Sequence, residues 1–505
     1  MALNVINTPE ELSRARYLLE LFLLGGRFNL VEDHRLVSSV LPDNSAAEIS
    51  YGKLILSCWG EGWSRSWRVT GLESDQQNLR LQCAKQMGRV ICSIELQRGE
   101  AGDKVSESRD EFASKLASMI EANLPHLKVE SVVTARDDYR HFNGIHTRLT
   151  IKDRNRIMAG IGVGTRESQS DIDAALGAGI VWFDSLQKKA STSRLMIFAP
   201  RGKTATIAAR LTAVEISGTE ISLYEIDEKE NSIQSITPFD QGDLADNFRR
   251  AARRVIWPDE KSSDEEMASL LDSIIRLAPD LIEKRHQGNH IALSIRGLEF
   301  ARIHIRNQVV EFVSPDHKER VSSASPSDLE HLIKDIVNRR VVDPSDRSDS
   351  IFRSQSERWL ESIIRKDVTS IDPTLDRRAV YSQVPAYRGE QRSYIDLLGA
   401  TRTGRLVVIE LKVSEDAELP FQGLDYWQRV EWHRLRGDFQ RRGYFKGITL
   451  TDDPPLLYLV APVFRFHATT KLIAGSIESR VPVYRIGIND DWRAGVRVLL
   501  SEKLN

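Results

Sequence analysis

Two apolar runs that each carry ionisable residues constrain this chain more than any other feature. Residues 394–398 read Tyr-Ile-Asp-Leu-Leu and residues 406–413 read Leu-Val-Val-Ile-Glu-Leu-Lys-Val, with Thr403-Gly404 between them. The β-branched and aliphatic runs around a turn pair predict a hairpin. Burying an ionised group without a partner is costly, so Asp396, Glu410 and Lys412 need a reason to be there. Residues two apart on a strand face the same way. Glu410 and Lys412 therefore share a face, Leu411 turns away, and the hairpin brings Asp396 alongside. Two carboxylates and the Leu411 carbonyl form an oxygen donor set for Mg²⁺ or Mn²⁺. Lys412 can orient or deprotonate a water, or neutralise charge developing on a phosphate. An internal Glu410–Lys412 ion pair is the competing account, and it leaves Asp396 unexplained. Acid-x-Lys also occurs at Asp227-Glu228-Lys229 and Asp259-Glu260-Lys261, but in polar runs that read as loops.

The next segment, residues 421–439, reads as a helix in which Gln422 and Tyr426 are four apart and share a face. Before the hairpin, residues 356–367 read as a helix with Glu357, Leu360, Glu361 and Ile364 on one side. The order is helix with Glu, strand with Asp, strand with Glu-x-Lys, then helix with Gln-x-x-x-Tyr. It resembles the PD-(D/E)xK nuclease superfamily, and its RecB-type branch in particular, over residues 350–505. Ile395 stands where the family name has proline. The resemblance implies a restriction-endonuclease-like αβββαβ core, divalent-metal hydrolysis of phosphodiesters, and DNA as the commonest substrate. It further implies that Asp396, Glu410 and Lys412 are catalytic, with Gln422 and Tyr426 helping to position the lysine and the nucleic acid. The family's first helix usually adds an acid to the metal site, here Glu357 or Glu361. Helix-dipole compensation at Glu357 and an i,i+4 pair of Glu361 with Arg365 are the alternatives.

Length and patterning predict an α/β multidomain protein, since 505 residues of ordinary globular composition supply several cores. Residues 1–125 read as a capped helix followed by short alternating runs, a mainly antiparallel β domain. Residues 130–250 read as α/β. Residues 260–340 read as a connecting region of helices and a β-hairpin, with Ser325 as N-cap and Pro326 at the first helical position. A Ser- and Asp-rich linker leads into the last domain. The middle segment echoes that domain. Arg194–Pro200 matches Leu456–Pro462, both ending Ala-Pro, and residues 156–163 match 405–412. Ile161 and Val163 then fall on Glu410 and Lys412, so the middle segment is expected to be a degenerate, inert nuclease-like copy.

Net charge is −2, yet residues 351–505 hold 24 Lys and Arg against 20 Asp and Glu. Arg434, Arg436, Arg441 and Arg442 make a local basic patch suited to a phosphate backbone, with a solvated helix face as the alternative. The three cysteines, Cys58, Cys83 and Cys92, lack ligand spacing, and neither a signal-peptide pattern nor a membrane-length apolar run is seen. A cytoplasmic location is expected. The partner expected is DNA, with no membrane, and with a homo-oligomer or protein partner engaged through the N-terminal domains. Three functional readings stand: a Mg²⁺-dependent deoxyribonuclease in repair or defence against foreign DNA, a silent nuclease-like scaffold that binds nucleic acid, and an RNA-directed nuclease.

Overall fold

The computed structural model describes residues 4–505 except 7, 27, 33–34, 41–44, 51–52, 61–62, 75–77, 86–89, 99–100, 136–144, 238–264, 288–289, 305–309, 314–319, 322–325, 348 and 389–390. The expected Ser325 cap and the Asp259-Glu260-Lys261 tripeptide lie outside the described residues. The chain is α/β and multidomain, and its order is β module, α/β lobe, β module, α/β lobe. Two compact units result. One joins residues 1–106 with 259–362, and the other joins 107–258 with 363–505.

In the first unit, helix Pro9–Leu24 opens with a reciprocal cap. Thr8 Oγ1 accepts the Glu11 N–H at 3.2 Å, and Glu11 Oε2 accepts the Thr8 N–H at 3.0 Å. The strands that follow form an antiparallel meander, as the alternating runs predict. Residues 265–339 are more than a connector. A five-stranded antiparallel sheet, Ile282 to Val321, and helices Glu265–Ile275 and Pro326–Arg339 bury their own core around Leu293, Phe300 and Ile336. Ile282 begins a strand, although the sequence pattern reads as helix up to it.

The second unit holds the two α/β lobes. The middle lobe runs α1 (Ala101–Asn123), β1 (Lys128–Val133), β2 (Thr147–Asp153), β3 (Arg156–Gly162), α2 (Ala175–Gln187), β4 (Thr192–Pro200), α3 (Ala205–Leu211), β5 (Glu220–Asp227) and β6 (Ser232–Ile236). A boundary at 125 would cut α1 from its partners. Leu116, Met119 and Ile120 pack on Leu149, Ile151 and Met196 of this sheet. The polar stretch 101–110 forms its first turns.

The last lobe follows helix α4 (Ser356–Lys366) and runs β7 (Leu375–Arg388), β8 (Gln391–Thr401), β9 (Leu406–Leu411), α5 (Leu419–Leu435), β10 (Leu456–Pro462), α6 (Thr470–Gly475), β11 (Val483–Ile488) and β12 (Val498–Lys503). The Thr403-Gly404 turn forms as expected. Gly404 has φ +91°, and a Cβ there would lie 1.8 Å from the Thr449 carbonyl oxygen, so only glycine fits.

Both sheets have one topology. The order is β1 to β6 in one and β7 to β12 in the other, and three antiparallel steps and two parallel ones fall in the same places. The register confirms the alignment read from Ala-Pro. Ile161 pairs with Ile197 as Glu410 pairs with Leu459. The Val163 N–H donates to Phe198 O at 3.1 Å, as that of Lys412 does to Val460 O at 2.9 Å. Val163 and Ile161 therefore occupy the Lys412 and Glu410 places. The helices match with Gly179 against Gly423. A Cβ on either would strike matching leucines, Leu195 or Leu457.

The lobes meet about a local two-fold. Val214 and Ile477 bridge antiparallel. Glu215 N–H donates to Ser476 O at 2.8 Å, and Glu478 N–H donates to Ala213 O at 3.0 Å. These are equivalent positions exchanged, the signature of an isologous contact. Helix α3 packs on α5 and α6 on α2. The exchange is chemically one-sided. Arg210 of α3 is fully buried. Its Nε and one terminal nitrogen donate to the two Asp425 carboxylate oxygens, both at 3.0 Å. Its other terminal nitrogen donates to Glu418 Oε2 at 3.0 Å and Asp173 O at 2.7 Å. Burial alone would lower the Arg210 pKa, but Asp425 and Glu418 outweigh it and hold it raised. At the mate position Ile473 faces Gly177, with Ala174 and Val181 where Glu418 and Asp425 stand.

Removing one partner of a buried pair strands the other charge, at about 3–5 kcal/mol. Arg210→Met is expected to lower the unfolding midpoint of this unit by a loss of that size. The triple variant Arg210→Ile/Glu418→Ala/Asp425→Val copies the mate side and is expected to recover most of it. Thermal and urea unfolding check this. A triple variant no more stable than Arg210→Met would contradict the exchange.

Candidate active site

The site forms where the β8–β9 ladder splays. The ladder ends at the pair Leu397 and Ile409. One step on, where Asp396 faces Glu410, the backbone acceptor is replaced by a side chain. Asp396 Oδ2 takes the Leu411 N–H at 2.9 Å. A strand residue's N–H and C=O point to the same edge, so the Leu411 carbonyl is turned to the Asp396 side. Asp396 Oδ1 also accepts Gln383 Nε2 at 3.3 Å. Gln383 is buried in β7 with φ +53°, a left-handed conformation inside a strand. Strain of that kind costs about 1–3 kcal/mol and persists only where the surroundings enforce it.

Glu410 is 4% exposed on the neighbouring strand. Both carboxylates face α5. Burial pushes the Tyr426 phenol above its usual range, and the charges of Glu410 and Asp396 push it further. The Tyr426 hydroxyl is paired with Ser393 Oγ at 2.5 Å. Lys412 Nζ lies 3.5 Å from Asp416 Oδ2, in the loop entering α5. That oxygen also accepts Gln422 Nε2 at 3.5 Å, and Asp416 Oδ1 accepts the Glu418 N–H at 2.8 Å. Asp396 and Glu410 thus stand by Tyr426, and Lys412 and Gln422 share the Asp416 carboxylate. Arg210 clamps α5 through Asp425, adjacent to Tyr426.

Among the described residues no three His, Cys, Asp or Glu side chains gather as a metal cluster. Buried Glu361 is paired with Arg358 at 3.3 Å and with Arg285 at 3.5 Å. Those two arginines help to hold its charge. Glu357 is half-buried in the first turn of α4. The donor set nevertheless suits Mg²⁺, which is commonly bound by one or two carboxylates plus waters and substrate phosphates.

The basic patch is uneven. Arg434 is held by Glu431 at 2.6 Å and donates to Asp452 O at 2.8 Å. Arg441 pairs with Asp438 at 2.5 Å. Arg436 is exposed and stacks over Trp432, 3.5 Å from the ring centroid. Arg442 stands close enough to His433 for its charge to help lower the His433 pKa, behind the larger effect of burial.

At the places of Asp396, Glu410 and Lys412 the middle lobe has Arg148, Ile161 and Val163, none with a side-chain oxygen. Arg148 faces buried Ile161, where Asp396 would face Glu410. Its guanidinium lies 5.7 Å from the ring centroid of Trp182, which takes the Tyr426 place.

Gln383, Asp416 and Ser393 were missed in the sequence. Asp416 had a signal, an acid shortly before Pro420 at a helix start. Gln383 had none, because the left-handed φ that aims it is invisible in the residue string.

No protein-family model matches the chain, and no curated protein matches it. A solved repair endonuclease from Pyrococcus abyssi aligns over 44% of this chain and 98% of its own length, at 14% identity and a TM-score of 0.16. At that score the two backbones do not coincide as wholes. Among the described residues no helix is long and apolar enough to cross a membrane.

A group that orients a metal-binding carboxylate typically matters about 10–100-fold for affinity. Gln383→Ala is expected to weaken Mn²⁺ binding by that factor while preserving the melting temperature within a few degrees. Titration calorimetry with Mn²⁺ checks it, and unchanged affinity would remove Gln383 from the site.

Proposed function

We propose that the last lobe is a divalent-cation-dependent nuclease of the PD-(D/E)xK type, with a restriction-endonuclease-like core and DNA as substrate. The observation that carries this reading is the splayed hairpin, where Asp396 takes a backbone N–H in place of the ladder and stands with Glu410 facing Tyr426. A purely structural ion pair would not require the ladder to open. Asp396, Glu410 and the Leu411 carbonyl would hold Mg²⁺ or Mn²⁺. When bound, the cation supplies Lewis-acid polarisation of the phosphoryl oxygens.

The chain's own residues do the rest. Gln383 and the Leu411 N–H fix the Asp396 carboxylate in one orientation. Asp416, itself fixed by Gln422 and the start of α5, holds the Lys412 ammonium close by. From there Lys412 orients the attacking water or offsets negative charge that grows on the phosphate. Tyr426 stays protonated through the neutral range, because burial and two carboxylates oppose its ionisation, and it can donate to a phosphate oxygen. Arg436 and Arg442 are the patch members best placed to meet the backbone of the nucleic acid.

The test incubates the purified chain with single-stranded, duplex and branched DNA and with RNA, in Mg²⁺, Mn²⁺ or EDTA. Cleavage of DNA with metal and none in EDTA is expected. Lys412→Ala should lower cleavage by about 100-fold or more with DNA binding retained, and Asp396→Asn should lose cation binding as well. Undiminished cutting by Lys412→Ala would overturn the mechanism. Tight DNA binding with no cleavage in any metal would favour the silent scaffold.

A further inference from the structure

We infer that the chain is a one-piece counterpart of a two-fold nuclease dimer with one site switched off, and that it therefore cuts a single strand of duplex DNA per binding event. This rests on the nuclease reading of the last lobe.

The first line of evidence is symmetry. The two lobes share strand order and pairing sense, and they meet through equivalent residues exchanged across Val214 and Ile477. Isologous contacts of this kind normally join two identical subunits. The strands of duplex DNA are antiparallel and related by local two-fold axes. A two-fold pair of sites is the arrangement that addresses both.

The second line is the chemistry of the mate site. Its ladder register places Arg148, Ile161 and Val163 where the last lobe has Asp396, Glu410 and Lys412. Both carboxylates and the lysine are gone, and a cation stands where a carboxylate would ligate one. Mg²⁺ needs oxygen donors, and neither Ile161, Val163 nor Arg148 offers a side-chain oxygen. One of the two sites is therefore silent.

The third line says why the active lobe takes this partner and not a second copy of itself. In a pairing of two last lobes, Ile473 would replace Arg210 opposite Glu418 and Asp425. Two carboxylates would then be buried against an apolar side chain, four in the symmetric pair. A missing partner for a buried charge is strongly destabilising, and such a penalty is how an interface rejects the wrong partner. Arg210 is thus a specificity device as well as a clamp on α5.

The experiment follows a supercoiled plasmid and a duplex oligonucleotide labelled on either strand, in Mg²⁺, with the full-length chain in excess. Open circles should accumulate to most of the DNA before any linear form, at a rate independent of chain concentration once binding saturates. Each labelled duplex should carry a cut in one strand. The Asp396→Asn/Lys412→Ala double variant should cut neither strand. Direct conversion to linear DNA would overturn the inference and leave the nuclease reading standing. So would cutting of single-stranded DNA with the plasmid untouched. Residual metal-dependent cutting by the double variant would overturn the silence of the middle lobe. No cleavage of any nucleic acid by the native chain would overturn the nuclease reading, and this inference with it.

Discussion

The buried Arg210 guanidinium ties the two lobes of the second unit together and also ties down the helix that carries part of the candidate site. It is fully enclosed, so its charge must be met inside the protein, and Asp425 and Glu418 meet it from the helix that carries Gln422 and Tyr426. A bidentate carboxylate contact is directional. It fixes the rotation of α5 about its axis, and so the faces that Gln422 and Tyr426 present. From there the chain of contacts runs through Asp416 to Lys412 and through the Tyr426 hydroxyl to Ser393. A series of contacts thus links the lysine to a residue more than 200 positions away in another lobe.

The central site was legible in the sequence because strand periodicity is rigid. Once Glu410 and Lys412 lie on an apolar strand, alternation fixes their shared face, and a short turn fixes Asp396 beside them. Gln422 and Tyr426 followed from helical spacing. The echo in the middle lobe was legible because two buried parallel strands ending Ala-Pro are repeated, and sheet register converts that likeness into residue correspondences. Strand β7 was not legible: its sequence, residues 375–388, mixes charges with Pro385 and shows no clean alternation, and it belongs to the sheet through tertiary pairing alone. The partners of Glu361 were equally hidden. Arg358 is local, but Arg285 comes from a strand 76 positions earlier, and no spacing rule connects them.

The two lobes show what a repeated fold can keep and what it can lose. Sheet order, the glycine crossing of helix over strand, and the two-fold bridge are retained, because each is needed to bury the shared core. The site residues carry no such burden. Replacing Glu410 and Lys412 by Ile161 and Val163 favours packing, since apolar side chains need no buried partners. The last lobe keeps buried charges at these places at a cost in stability, which hydrogen bonds from Gln383 and the Leu411 backbone to Asp396 help to offset. That asymmetry, one lobe optimised for packing and one for charge, is the physical content of the functional proposal.

The most direct test of that claim is a crystal of the full chain grown with Mn²⁺ and measured for anomalous scattering. A single strong peak is predicted between the Asp396 and Glu410 carboxylates, within bonding distance of both and of the Leu411 carbonyl, with none near Arg148 and Ile161. Absence of a peak at Asp396 in saturating Mn²⁺, or a second peak in the middle lobe, would contradict it.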